Sequence, residues 1–474
     1  MTAIDWKLEV EKRKDDLLRD LQSLIAIKSV LDEEGATADA PLGQQVKEAL
    51  DFMLALGEKD EFTGKNVDNL AGHLEFGAGE ELLGILCHVD VVPEGDDWTT
   101  DPFGGEIRDG KIFGRGAIDD KGPTMAAYYA MKIVKELGQA FNKRVRMIIG
   151  TDEESDWRCV DRYFATEEMP AIGFAPDADF PIIFAEKGIA DFDLVFSPVV
   201  STAQQPENLF VHSFESGRRY NMVPDYAKAV LTVNHGQTAL LQSYSDFAKD
   251  NGLEGQYYID RGLLVLEMKG ISAHGMEPDL GKSAGLYLVE FLANRVLDEK
   301  SAHFFQWTSN SFFQDSRGKA LEVHYQDDIT GDLTINVGKL SYDEQTGGRL
   351  GLNMRYPVTF PLTEKKAELT ERLQQENIAI ENFSNSDPHH VEQDHPFIQT
   401  LAKVYEEQTG EKAELLSIGG GTYARSLKTG VAYGALFPGR ADVAHQKDEH
   451  MFIEDLLKAT AIYAQAIWEL AVEK

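Results

Sequence analysis

The chain runs to 474 residues, 43% of them hydrophobic, enough for roughly two or three domains with cores of their own, so disorder is excluded as its main theme. Asp and Glu number 80 against 46 Lys and Arg, a formal charge of -34; such a field repels nucleic acid and anionic lipid, and neither is expected as a partner. Two cysteines, Cys87 and Cys159, are too few for a disulfide-stapled fold or a thiolate zinc site.

From 6 to 27, Leu17, Leu18, Leu21, Leu24 and Ile25 recur near helical spacing between charges, which predicts one amphipathic helix. Charges scattered through the first eighteen residues break the apolar core that a signal peptide needs, and no uncharged run approaches the ~18 apolar residues of a membrane span, so a cytoplasmic location is expected. Short apolar runs follow at 82–87, 145–149, 171–174 and 431–436, separated by helical stretches such as 123–137 and 400–408. That alternation predicts an α/β fold with a mostly parallel sheet flanked by helices. The middle, from about 189 to 384, alternates strand-like pieces with a few helices, an α+β pattern. The expected organisation is one α/β domain built from 1–188 and 385–474 and interrupted by a large inserted domain, 189–384.

Chemistry-bearing residues gather after the apolar runs. Cys87-His88-Val89-Asp90 ends a buried-strand pattern on a histidine, with an aspartate two residues on; in an extended chain the two share a face, as a metal-ligating imidazole and its orienting carboxylate require. Gly114-Arg-Gly-Ala-Ile-Asp119-Asp120-Lys-Gly122 is a glycine-punctuated loop closing on two acids before a helix, without the spacing of a phosphate-binding loop. Asp152-Glu153-Glu154 follows the next strand, Pro176-Asp177 another, and His445-Gln-Lys-Asp-Glu449 lies beyond the last. Alone, His88 reads equally as a satisfied histidine at a strand end, and the acids 152–154 would be a solvated loop in most proteins. Together they put histidines and acids at carboxyl ends of predicted strands, where open α/β sheets place their sites. Nitrogen and oxygen donors without thiolates suit zinc, manganese or cobalt, and a bridging carboxylate would make a two-metal hydrolase.

In this order the motifs resemble the M20 metallopeptidase family, and within it the PepV-like bacterial dipeptidases. The resemblance covers most of the chain, and it implies a catalytic domain holding two divalent metal ions, zinc first with manganese or cobalt as alternatives, and an inserted lid. It implies that Asp119 bridges the metals, that His88 and Asp177 complete one site and Glu154 and His445 the other, that Glu153 is the general base, and that Asp90 orients His88. A cis peptide between Asp119 and Asp120 is also implied. In the insert, Asn221, His274 and Arg355 match residues that contact substrate, with Gly420 and Gly421 beside them. The role of Glu449 stays open.

The implied activity is hydrolysis of unblocked dipeptides by a metal-bound hydroxide, Arg355 and the 419–421 backbone clamping the substrate carboxylate. The alternative is an N-acyl amino-acid deacylase of the aminoacylase or desuccinylase type. A catalytically silent binding protein is disfavoured because every expected position is filled. The large insert leads to the expectation of a monomer acting on small peptides.

Overall fold

The computed structural model describes residues 4–198 and 209–473, which fall into two compact units. The first lies within Met1–Ala185, His390–Ser417 and Thr422–Lys474, the second within Glu186–His389 and Ile418–Gly421.

The first unit is α/β. Its sheet has a parallel centre in the order Arg144–Gly150, Leu82–His88, Ile172–Ala175, Gly430–Ala432. These strands are apolar runs buried on both faces, as strands covered by helices must be. Antiparallel neighbours flank the centre, Ala71–Gly77 on one side and Ile182–Glu186 on the other. The helix Lys121–Glu136, buried along most of its length, packs against Ile453–Ala471, while Gln44–Lys59 covers the strands Thr63–Val67 and Ala71–Gly77.

Two expectations break locally. The N-terminal helix is two helices, Trp6–Glu11 and Lys14–Ile25. Between them Arg13 leaves helical geometry at φ -115°, ψ 4°, and its guanidinium donates to the Glu136 carboxylate and the Glu9 carbonyl. The run 431–436 is likewise two short strands, Gly430–Ala432 and Ala435–Leu436. Gly434 turns between them at φ +79°, with the Phe180 ring 2.3 Å from where a Cβ would stand, so only glycine fits.

The second unit is α+β, with a sheet of eight strands among the described residues. Its neighbours are antiparallel: Glu254–Asp260, Leu263–Lys269, Tyr226–Val233, Leu209–Ser216, Thr334–Asp343, Gly347–Tyr356, Gly188–Phe196 and Ile378–Ser386. The helices Ala284–Ala293 and Glu299–Phe312 pack on it around a core that includes Phe192, Phe214, Leu266, Phe291, Phe304 and Leu350. Phe304 is a hub, edge-on to Phe196 and Phe305 and stacked on Tyr342. Among the described residues, no helix is long and apolar enough to cross a membrane.

Candidate active site

Parallel pairing aligns strand ends. His88 stands opposite Gly150 in the register, so the loop 151–154 leaves the sheet beside the loop 89–91, and Ile172–Ala175 delivers Asp177 on the other side of His88. His88 is fully buried. Its Nδ1 faces the Asp90 carbonyl at 3.1 Å and the Asp90 carboxylate at 3.4 Å. A proton on Nδ1 satisfies that side and leaves Nε2 as the nitrogen able to ligate a cation. Nε2 lies 3.1 Å from Asp119 Oδ1 and 3.6 Å from Asp177 Oδ1.

Asp119 follows the 114–118 loop, and its peptide bond to Asp120 is cis. Its other oxygen, Oδ2, lies 3.0 Å from His445 Nε2, which is also 3.0 Å from Glu154 Oε2. One carboxylate therefore spans the two imidazoles. Of the three consecutive acids, Asp152 turns away to hold Arg158 through both oxygens, leaving Glu153 and Glu154 for the cluster. Two groups result, His88 with Glu153 and Asp177, and Asp119 with Glu154 and His445, the ligand atoms of each within 4.8 Å of one another.

The electrostatics fit cations. Burial, and then the charge of Asp177, pushes the Glu153 carboxyl well above the usual range; burial also raises Asp177 and Glu154. Asp119 goes the other way, because His445 and His88 outweigh its burial. The Asp119 and Glu154 carboxylates in turn hold His445 up at about 10. Half-buried acids that repel one another around imidazole nitrogens are the arrangement a divalent cation relieves. Cys87 adds no donor to that set: alternation along the strand turns it from His88, and burial pushes its thiol well up.

Glu449 does not join the cluster. Fully buried, its Oε2 accepts from Arg115 Nη1 at 2.7 Å, and its Oε1 accepts from the backbone N–H of Ile118 at 2.9 Å and of Asp119 at 3.2 Å. It is a buttress behind Asp119. Other residues that sequence reasoning did not single out serve similarly. Asp120 Oδ2 accepts from His88 N and from Thr124 Oγ1, and the Tyr423 ring stands edge-on to His88, 5.9 Å between centroids. Asp120 lies in the 114–122 loop, but only the fold shows what it and Tyr423 touch.

The second unit gathers the other candidates. Arg355 is 5% exposed; its Nε donates to Asn353 Oδ1 at 2.8 Å and its Nη1 to the Gly419 carbonyl at 3.3 Å, beside Gly420 and Gly421. His274 pairs with Met222 in an isolated bridge, and Gly275 N donates to the Asn221 carbonyl at 2.7 Å. The His274 Nδ1 accepts from Met276 N at 3.1 Å, so the neutral ring carries its proton on Nε2. Burial and the nearby Arg355 charge lower its pKa and keep it neutral.

A parallel sheet with two clusters of histidine and carboxylate side chains beside it is a candidate metal centre, and comparison gives the family. The chain matches Peptidase family M20/M25/M40 over residues 84–469 and belongs to that family; it is a peptide hydrolase. It is 53% identical over 468 residues to "Putative dipeptidase YtjP" of Bacillus subtilis, covering 99% of this chain and 100% of that one. It is 46% identical over 468 residues to a "Putative dipeptidase" of Staphylococcus epidermidis, with the same coverage. Among solved structures, it resembles the aminoacylhistidine dipeptidase of Vibrio alginolyticus at TM-score 0.61 and 12% identity, over 97% of each chain. Human carnosine dipeptidase 1 is similar at TM-score 0.55 and 15% identity, over 98% of each chain; at such identities both show the fold alone.

Proposed function

We propose that this chain is a metal-dependent dipeptidase that hydrolyses unblocked dipeptides, with two divalent ions, zinc first, held by His88, Asp119, Glu154, Asp177 and His445. The observation that carries the reading is the Asp119 carboxylate, whose two oxygens lie 3.1 and 3.0 Å from imidazole nitrogens of His88 and His445. When bound, such ions supply Lewis acidity and lower the pKa of water to about 7.

This chain's own residues do the rest. Glu153, whose carboxyl is raised by burial and by Asp177, takes a proton from the attacking water and returns it to the departing amine nitrogen. His274, neutral with its proton on Nε2, donates that N–H to the oxyanion. Arg355, whose guanidinium presents five donors in a planar fork, receives the substrate's free carboxylate with the 420–421 backbone alongside. In a dipeptide the free carboxylate lies one residue from the scissile bond, so a carboxylate anchor suits short substrates. The names of the 53% and 46% identical relatives support the same choice.

The test is hydrolysis of a dipeptide, its N-acetylated form and a tripeptide by metal-reconstituted protein. Preference for the free dipeptide by tenfold or more in kcat/KM is expected. Preference for the acetylated form would make the enzyme a deacylase, and equal cleavage of the tripeptide would remove the carboxylate-anchor argument.

A further inference from the structure

One face of the second unit's sheet carries a buried polar plaque. In the pairing of Thr334–Asp343 with Gly347–Tyr356, Thr334 stands opposite Arg355 and Asn336 opposite Asn353. Residues two apart on a strand share a face, as do directly opposed residues, so these four lie together. Their exposures are 1, 5, 2 and 1% in that order. Thr334 Oγ1 donates to the Met276 carbonyl. Asn336 Nδ2 donates to the carbonyls of Tyr220 and Met222, on either side of Asn221.

Asn353 is the most constrained member. Its Nδ2 donates to Asp191 Oδ1 at 2.6 Å, across the register from the neighbouring strand, and its Oδ1 accepts from Arg355 Nε at 2.8 Å. Asp191 can only accept and the guanidinium can only donate, so a flipped amide would face oxygen to oxygen and N–H to N–H. Both ends of the amide are thereby fixed, and with them the plane of the guanidinium. The acceptor is also neutral. A carboxylate in its place would pair with Arg355 and weaken its hold on a second, incoming carboxylate.

We propose that Asn353, locked by Asp191, is a positioning residue that orients Arg355, read above as the receiver of the substrate's carboxylate, and that it adds no negative charge of its own beside the guanidinium. The proposal rests on the reading of Arg355 given above. Asn353 touches no reacting atom, so its loss should act on recognition and not on the chemical step.

The test exchanges the two side chains. The double variant Asp191→Asn/Asn353→Asp keeps an amide–carboxylate hydrogen bond between the strands and the same total charge, but sets the carboxylate against Arg355 Nε. Its unfolding midpoint should stay near wild type, while KM for a free-carboxylate dipeptide rises about 10- to 100-fold and kcat stays within about threefold. Asn353→Leu, which removes the acceptor without adding charge, should raise KM in the same sense and serves if the exchange does not fold. Arg355→Lys is run beside them. If Arg355→Lys leaves KM unchanged, the carboxylate reading fails and the proposal with it. If Arg355→Lys raises KM and the folded Asn353 variants do not, or they lower kcat and stability with KM unmoved, the proposal alone is overturned.

Discussion

Glu449 gives the sharpest test of how the candidate centre is supported. Glu449→Ala leaves the Arg115 guanidinium, 1% exposed, without its carboxylate, and leaves the N–H groups of Ile118 and Asp119 without their acceptor. Removing one partner of a buried ion pair costs about 3–5 kcal/mol. Here the lower end applies, because Arg115 Nη2 keeps the carbonyls of Pro93 and Glu94, each at 3.3 Å, and the guanidinium lies over the Trp98 ring. A loss of about 3 kcal/mol is a change of roughly 150-fold in the folding equilibrium. Glu449→Gln does little better, since in either orientation its amide N–H₂ faces donors, Arg115 Nη1 or the N–H groups of Ile118 and Asp119. In the double variant Arg115→Met/Glu449→Gln the losses should be less than additive by about 1.5 kcal/mol or more. Urea unfolding of metal-free protein is the assay, because it separates a buttress from a ligand: loss of a buttress destabilises the metal-free fold, whereas loss of a ligand matters only once metal is bound. If Glu449→Ala unfolds within about 0.5 kcal/mol of wild type when metal-free, yet binds fewer ions when loaded, the buttress argument is wrong.

Further outcomes are expected. Glu153→Gln should lower kcat by about 10²–10⁴-fold at unchanged metal content; a matching loss of bound metal would make Glu153 a ligand instead of the base. His73, 5% exposed with Tyr163 OH 2.7 Å from its Nδ1, has its pKa pushed down to about 4 by burial and then by Arg146. The unfolded chain therefore takes up this proton from about pH 6.5 downward and the folded chain only near 4, so stability held above 6.5 is lost as pH falls through that window. The loss is at most about 3 kcal/mol, His73→Gln should flatten the slope, and parallel slopes would refute it. The chain should act as a monomer, with full activity sedimenting near 52.8 kDa; activity regained on mixing His274→Ala with Glu153→Gln chains would show sites shared between subunits.

The positions of His88, Glu153, Glu154 and Asp177 were legible because apolar runs stop abruptly on polar residues, and burial on both faces of a parallel strand produces that pattern. The strands Leu82–His88 and Arg144–Gly150 accordingly fall within a residue of the expected runs. What stayed hidden depends on partners far apart in sequence. The Glu449–Arg115 pair links residues 334 positions apart, and no local pattern tells a ligand from a buttress. The Asn336–Asn353 plaque exists only through strand register. The break at Arg13 follows from an acceptor, Glu136, on another helix. The strip Ile418–Gly421 belongs to the second unit because Ile418 and Gly419 carbonyls accept from Lys187 N and Arg355, which hydropathy along the chain does not register.

The central claim, peptide hydrolysis at a paired-metal centre bridged by Asp119, is tested most directly by titrating zinc into metal-stripped protein while measuring dipeptide turnover and bound metal together. Turnover should be negligible without metal and reach its plateau only as the second equivalent per chain binds, and Asp119→Ala should lose both equivalents. Full turnover by metal-free protein, or a plateau at one equivalent that Asp119→Ala still reaches, would contradict it.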